Sequence, residues 1–191
     1  SVTYTNFYRK GHMLNGRALE NSYGTGTRHT FDDAAIKAGA TYKLNGRNYF
    51  VAHGSYGTMA PTYWDSYINA AVKDEAAPGL TSTRFLSGDI SYVWNYPRFR
   101  GSITGYWTGT YDGFERKFFY DDAIGTNSVL LLAGVDRRYM GVEFGMSYLL
   151  TPSLTLSAVG TFSRAQYTNR PTMVRSYENG LYPDSEEIVY L

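Results

Sequence analysis

The chain has 191 residues, 43% of them hydrophobic, a net charge of +1 and no cysteine. This excludes disulfides, thiol catalysis and Cys-type zinc sites, and it leaves no electrostatic footprint for nucleic acid. Mean hydropathy is −0.36, and no stretch approaches the roughly 20 continuous apolar residues of a membrane helix. A transmembrane barrel has a similarly soluble-looking average, because lipid-facing and lumen-facing residues alternate. Aromatics make up 17%, with 19 Tyr, and there are 20 Gly. That combination points to sheet surfaces, tight bends and interfacial belts rather than helical bundles.

In chain order, Val2 to Tyr8 alternates as a short strand, with no basic start or apolar run of a signal peptide. Ile36, Ala38, Ala40, Tyr42 and Leu44 then alternate with Lys37, Gly39, Thr41 and Lys43. Asn45-Gly46 follows, the strongest short hairpin signal, and Tyr49 to Tyr56 returns as the second strand. Its facing is ambiguous, since Tyr49/Val51 and Phe50/Ala52 both qualify. Ile90, Tyr92, Trp94 and Tyr96 alternate up to a Pro97-Arg98 turn, and Phe99, Gly101, Ile103, Gly105 and Trp107 alternate after it. Val142 to Leu150 and Leu154 to Phe162 form a third hairpin about Thr151-Pro152-Ser153. Period 2 of this length is a strand pattern that a helix would scramble.

Long polar segments separate the hairpins: Lys10 to Arg28, Pro61 to Thr83, Tyr111 to Arg138 and Thr168 to Glu187. Short turns alternating with long loops are the rhythm of outer-membrane barrels, and about eight strands of roughly ten residues are expected. On that assignment Asn45-Gly46, Pro97 and Pro152 face the periplasm. The chain stops at Ile188 to Leu191 inside a strand-like pattern, so a longer protein is expected.

Alternation alone does not say which face is wet, and a soluble β-sandwich or lipocalin-like barrel has the same pattern. Two features favour a bilayer. Tyr42, Trp94, Tyr96, Phe99, Trp107 and Tyr148 gather near strand ends, as interfacial girdles do. Gly101, Gly105 and Gly160 fall in the apolar set, where a compact core would place bulk and lipid can fill the space.

Specific strings extend this. Val2 to Gly11, Tyr42 to Phe50, Tyr139-Met140-Gly141-Val142-Glu143-Phe144 and Thr151 to Leu156 resemble barrel strands and a periplasmic turn of TonB-dependent outer-membrane receptors, closest to the large Bacteroidetes type. The resemblance covers nearly the whole chain. It implies an all-β fold, an antiparallel transmembrane β-barrel of which this chain forms a segment of about eight strands out of about 22. It implies import of a scarce nutrient (siderophore, glycan, peptide or cofactor) across the bacterial outer membrane. The implied partners are outer-membrane lipid, a plug domain, the energy-transducing TonB complex and a surface lipoprotein. The chain departs from the family in having no plug and too few strands. A stand-alone eight-stranded barrel with a structural or adhesion role is the first alternative, and a soluble carbohydrate-binding β-domain the second.

No catalytic chemistry, metal or cofactor is expected. No G-x-S-x-G or phosphate loop occurs, and Gly24-Thr25-Gly26-Thr27 reads as a flexible loop tip. His12, His29 and His53 are dispersed, although His12 beside Met13 could touch a metal complex. Asp32-Asp33 and Asp121-Asp122 read as solvated loop-edge charge rather than acid/base or calcium sites. The ligand-binding candidates are Tyr63, Trp64 and Tyr67, aromatics in one external loop that can stack on a sugar, siderophore or peptide. Arg98 and Arg100 are candidates to line the lumen and attract an anionic solute or contact a plug. Packing of the loop aromatics and interfacial anchoring of the arginines are the competing readings.

Overall fold

A computed structural model describes residues 1–11, 22–178 and 183–189. The described residues contain strands and turns and no helix. The strands are β1 (Val2–Gly11), β2 (Gly24–Lys43), β3 (Asn48–Met59), β4 (Thr83–Asn95), β5 (Phe99–Asp121), β6 (Thr126–Thr151), β7 (Leu154–Tyr167), β8 (Thr172–Tyr177) and β9 (Ser185–Ile188). They form one antiparallel sheet in the order β1-β2-β3-β4-β5-β6-β8-β9, with β7 also on β6. β7 and β8 take the same neighbour in succession: Arg137 to Thr151 of β6 pairs with β7, and Ser128 to Ala133 with β8. Nine strands therefore fill eight positions. Among the described residues the sheet is open, with no pairing between its first and last strands.

Turn chemistry sets the hairpins. The Asn45 side-chain Oδ1 accepts the N–H of Arg47 and of Asn48, both at 2.9 Å, closing the β2–β3 turn. Asn48 extends this anchor: its Nδ2 donates to the Tyr96 hydroxyl, and its Oδ1 accepts from the Tyr92 hydroxyl, each at 2.9 Å.

Register then sorts the side chains. Ala40, Ala52, Ile90, Gly105, Val142 and Phe162 form one cross-strand row. The next row, on the opposite face, is Thr41, Val51, Ser91, Thr104, Glu143 and Thr161. The first face is apolar and the second polar, as alternation predicts. This settles β3: Phe50, Ala52 and Tyr56 share the apolar face with Tyr42 and Ile36.

Three segments expected as loops carry strand instead. β5 and β6 continue through 111–138 as a long hairpin with a tight turn at 122–125. β2 begins at Gly24, β8 lies within 168–187, and β9 begins there at Ser185. The cause in 111–138 is a pair of irregularities. The register shifts between Thr110 and Gly113 and again between Gly113 and Phe114. Asp112 (φ 57°) and Gly134 (φ 71°) hold the left-handed conformation there. Each bulge puts two residues of one strand opposite one of the other and breaks the period-2 pattern. Glu115 shows the outcome. Unbroken alternation would put it with Gly109 on the apolar face, yet it accepts from the Tyr167 hydroxyl at 2.8 Å and pairs with Arg137, both polar-face residues.

Among the described residues, only the segment 60–82 is a long connection without regular strand, holding one isolated bridge, Tyr67 to Ala76. Its position follows from strand lengths. β3 and β4 stop at Met59 and Thr83, whereas β2 continues to Gly24 and β5 to Asp121. A notch is left above β3 and β4, and residues 60–82 form a strap between the flanking strands. The buried apolar residues collect here: Tyr67, Ile68, Ala70, Val72 and Ala77 in the strap, with Val129, Leu131, Val135 and Val174 in β6 and β8.

Candidate functional site

Two arginines hold the strap by its carbonyls. Arg9 of β1 donates from Nε to the Ala70 carbonyl at 2.6 Å, from Nη2 to Ala71 at 3.4 Å and from Nη1 to Ser22 at 2.8 Å. Arg116 of β5 donates to the carbonyls of Trp64, Tyr67 and Ile68. Five guanidinium donors in a fixed fork suit this task, which a lysine's point charge does not match. Burial pushes the Arg116 guanidinium below its usual range, and Asp65 at 3.7 Å opposes that shift. Leu131 of β6, directly across from Arg116, is fully buried.

The aromatic candidates divide. Tyr67 is fully buried, with Phe7 at 6.5 Å, His29 at 5.3 Å and Tyr63 at 5.3 Å between ring centroids. Burial raises its phenol above the ordinary tyrosine value, and Asp74 adds to the rise. Tyr63 bridges this cluster to Trp64, whose ring is 54% exposed. Tyr63 and Tyr67 thus serve the packing of the strap, and Trp64 is the ring open to a ligand.

Arg98 and Arg100 lie at the opposite end of the sheet. Arg98 is in the β4–β5 turn, where its carbonyl accepts from Leu149 N at 2.8 Å. Arg100 opens β5, opposite Asn95 and Ser147 on the polar face. Both are exposed. The structure therefore makes two separate groups of the five candidates.

The acidic and histidine positions are also placed. Asp121 pairs with Arg175. Asp33, opposite Thr3 of β1, is buried, against the expectation of solvated charge, and neither carboxylate oxygen has a hydrogen-bond partner among the described residues. His53 Nδ1 lies 3.1 Å from Asp89 Oδ1 on the polar face, above Ser55–Ser87 (2.7 Å) and beside Ser91–Thr104 (2.8 Å), a ladder of cross-strand polar pairs. His12 lies outside the described residues.

The apolar face is the larger feature. Ile36 is 68% exposed and Phe162 79%, and Tyr42, Leu86, Ile90, Ile103, Val142, Phe144 and Leu156 are exposed with them. One margin is a continuous run of rings: Phe50–Tyr92 (5.1 Å), Tyr92–Trp94 (5.8 Å), Trp94–Phe99 (5.7 Å) and Phe99–Tyr148 (6.4 Å). The Asn48 network gives Tyr92 and Tyr96 polar ends at the same margin. The other margin is the row holding Arg138, with Arg164 one row inside it. From Tyr148 to Arg138 is ten residue steps of β6, roughly 34 Å along the strand at about 3.4 Å each.

Of the three glycines that alternation puts on the apolar face, two are covered. A Cβ on Gly101 would meet the Trp94 ring at 2.7 Å, and one on Gly160 would meet the ring of Phe144. Cross-strand rings lie over these glycines. A Cβ on Gly105 would meet nothing within 4 Å, so that notch stays open. Alternation singles out neither strap arginine: each sits in a strand, and its partners in the strap lie 48–62 positions away.

The chain matches no family model, no curated protein and no solved structure.

Proposed function

We propose that this sheet is part of the wall of a transmembrane β-barrel in the bacterial outer membrane, and that the chain belongs to a TonB-dependent receptor importing a scarce nutrient. The observation that carries the reading is the uncovered apolar face, bounded by a ring belt on one margin and arginines on the other. About 34 Å of strand, tilted by about 40°, spans roughly 26 Å, close to the apolar band of outer-membrane barrels. An exposed contiguous apolar surface of this extent in water is an aggregation liability, whereas in a bilayer it meets lipid. The polar ladder on the opposite face suits a wet lumen.

The open sheet supports a segment of a larger barrel over a closed eight-stranded one, since β1 and β7 each keep an unpaired edge among the described residues. On this reading the strap lies at the outer mouth, with Trp64 offered to solute and Arg98 and Arg100 at the periplasmic end. A plug, the energy-transducing complex and a surface lipoprotein are the partners that the receptor reading brings. The experiment is expression of the chain with flotation on lipid vesicles and sizing in plain buffer. Co-flotation is expected. A soluble monomer in plain buffer overturns the membrane reading in favour of a soluble β-domain. The intact mass of the protein in its native outer membrane separates the receptor from the small barrel: a mass near 21.5 kDa overturns the receptor.

A further inference from the structure

We propose that the apolar face carries a binding furrow for one anionic phospholipid, its acyl chain over Gly105 and its phosphate between Arg138 and Arg164. The inference rests on the membrane reading and deepens it. It starts from Gly105, where a Cβ would meet nothing within 4 Å, and its neighbour Gly88, where a Cβ would meet only the His53 carbonyl at 3.6 Å. Gly105 stands between Ile90 and Val142 in its row, and Gly88 pairs with Trp107 in the next. Together with Phe162 they line a furrow of about 790 Å³ whose far end reaches Arg164. The furrow is shallow and open to the medium.

Charge supplies the second argument. Met140 pairs with Arg164 and Arg138 with Gln166, so the two arginines are diagonal neighbours on one face, about 7 Å apart at their Cβ atoms. Arg84 and Arg137 are engaged by Asp112 and Glu115. Arg138 and Arg164 have no ion pair among the described residues. Two unpaired guanidiniums at the end of an apolar furrow favour an anion, and their forks match phosphate oxygens. Arg138 lies on the margin away from the ring belt, where headgroups meet the apolar band, and Arg164 one row inside it. A lipid fits both halves of the site; a free phosphate would leave the furrow unfilled.

The test reconstitutes the chain in nanodiscs of equal phosphatidylglycerol and phosphatidylcholine and reads co-purifying lipid by native mass spectrometry. Phosphatidylglycerol is expected to be enriched roughly tenfold or more. R138Q/R164Q should abolish the preference while vesicle flotation is unchanged. Gly105→Leu, whose Cβ has open space and whose remaining atoms would fill the furrow, should reduce retention of both lipids. A chain that floats with vesicles yet shows no preference, or keeps it in R138Q/R164Q, overturns the lipid site and leaves the membrane reading standing. A chain that does not float overturns both.

Discussion

Arg9 Nε donates to the Ala70 carbonyl at 2.6 Å, joining the first strand to the middle of the strap across 61 positions of chain. Arg9 is almost completely buried, and its other donors reach Ala71 and Ser22. Removing the guanidinium leaves buried carbonyls without donors, which costs about 1–3 kcal/mol. Arg9→Met is expected to lower stability by that amount and to open residues 60–82 to limited proteolysis. Arg9→Lys should rescue only part, because one ammonium cannot serve three separated carbonyls. Equal protease resistance in all three forms would show that the strap is held elsewhere.

Strap attachment should also respond to alkali. The Lys73 ammonium pairs with Glu75 at 2.6 Å and with Asp184, just before β9. Burial pushes its pKa down, but the bonds to Asp184 and Glu75 outweigh burial and leave it raised above 10.5. Tyr67 is raised above 10.0 by burial, with Asp74 adding to it. For both groups the folded value exceeds the unfolded one. Their contribution is complete below the unfolded value and is lost as pH rises through the folded value. Stability should therefore show no loss from Lys73 or Tyr67 at neutral pH and fall above about pH 10. Trp64 fluorescence followed against pH in Tyr67→Phe and Lys73→Met tests this: each variant should lose part of the alkaline transition.

The bulge line gives a third prediction and explains what the sequence hid. Alternation from Ile36 to Lys43, Ile90 to Asn95, Phe99 to Trp107 and Leu154 to Ser163 was legible because nothing interrupts it, and strands and register follow there. At Asp112 and Gly134 the backbone turns left-handed, one residue is added on each strand and the faces exchange. Period-2 reading then sees noise, so strand 111–138 looks like polar loop. The strap was legible as a loop, but its anchors Arg9 and Arg116 were not, since pairing over 48–62 positions leaves no local trace. Likewise the glycines at 101 and 160 read as gaps, while the cross-strand rings of Trp94 and Phe144 fill them.

If that bulge sets the upper hairpin, Gly134→Val should cost about 1–2 kcal/mol or more, because a β-branched residue resists positive φ. Space is not the obstacle, since a Cβ at 134 would meet nothing within 4 Å. Asn169 bonds the Gly134 carbonyl at 2.5 Å and Asp136 N at 2.9 Å. The strain should therefore spread to the β7–β8 break and show as faster amide exchange in 128–133 and 172–177. A thermal midpoint unchanged by Gly134→Val would show that the left-handed turn is not needed.

The identity of the medium on the apolar face can be read from charge substitutions alone. Ile90 lies in the central row, with Ala52 and Gly105 on either side, and its neighbour in sequence, Ser91, faces the polar ladder. An arginine facing hydrocarbon near the midplane costs about 2–4 kcal/mol, and the cost falls toward the interfaces. Ile90→Arg is therefore expected to lose about that much in folding measured in vesicles, while Ser91→Arg loses little. Leu156, near the ring belt, should be intermediate when made arginine, because its side chain can reach the headgroups. In water the ordering disappears: Ile90 is 56% exposed and an arginine there would be harmless. A flat response across Ile90, Leu156 and Ser91 would mean that the face meets solvent. A depth-graded response would also distinguish lipid from a covering protein partner, whose contacts have no reason to follow distance from the ring belt.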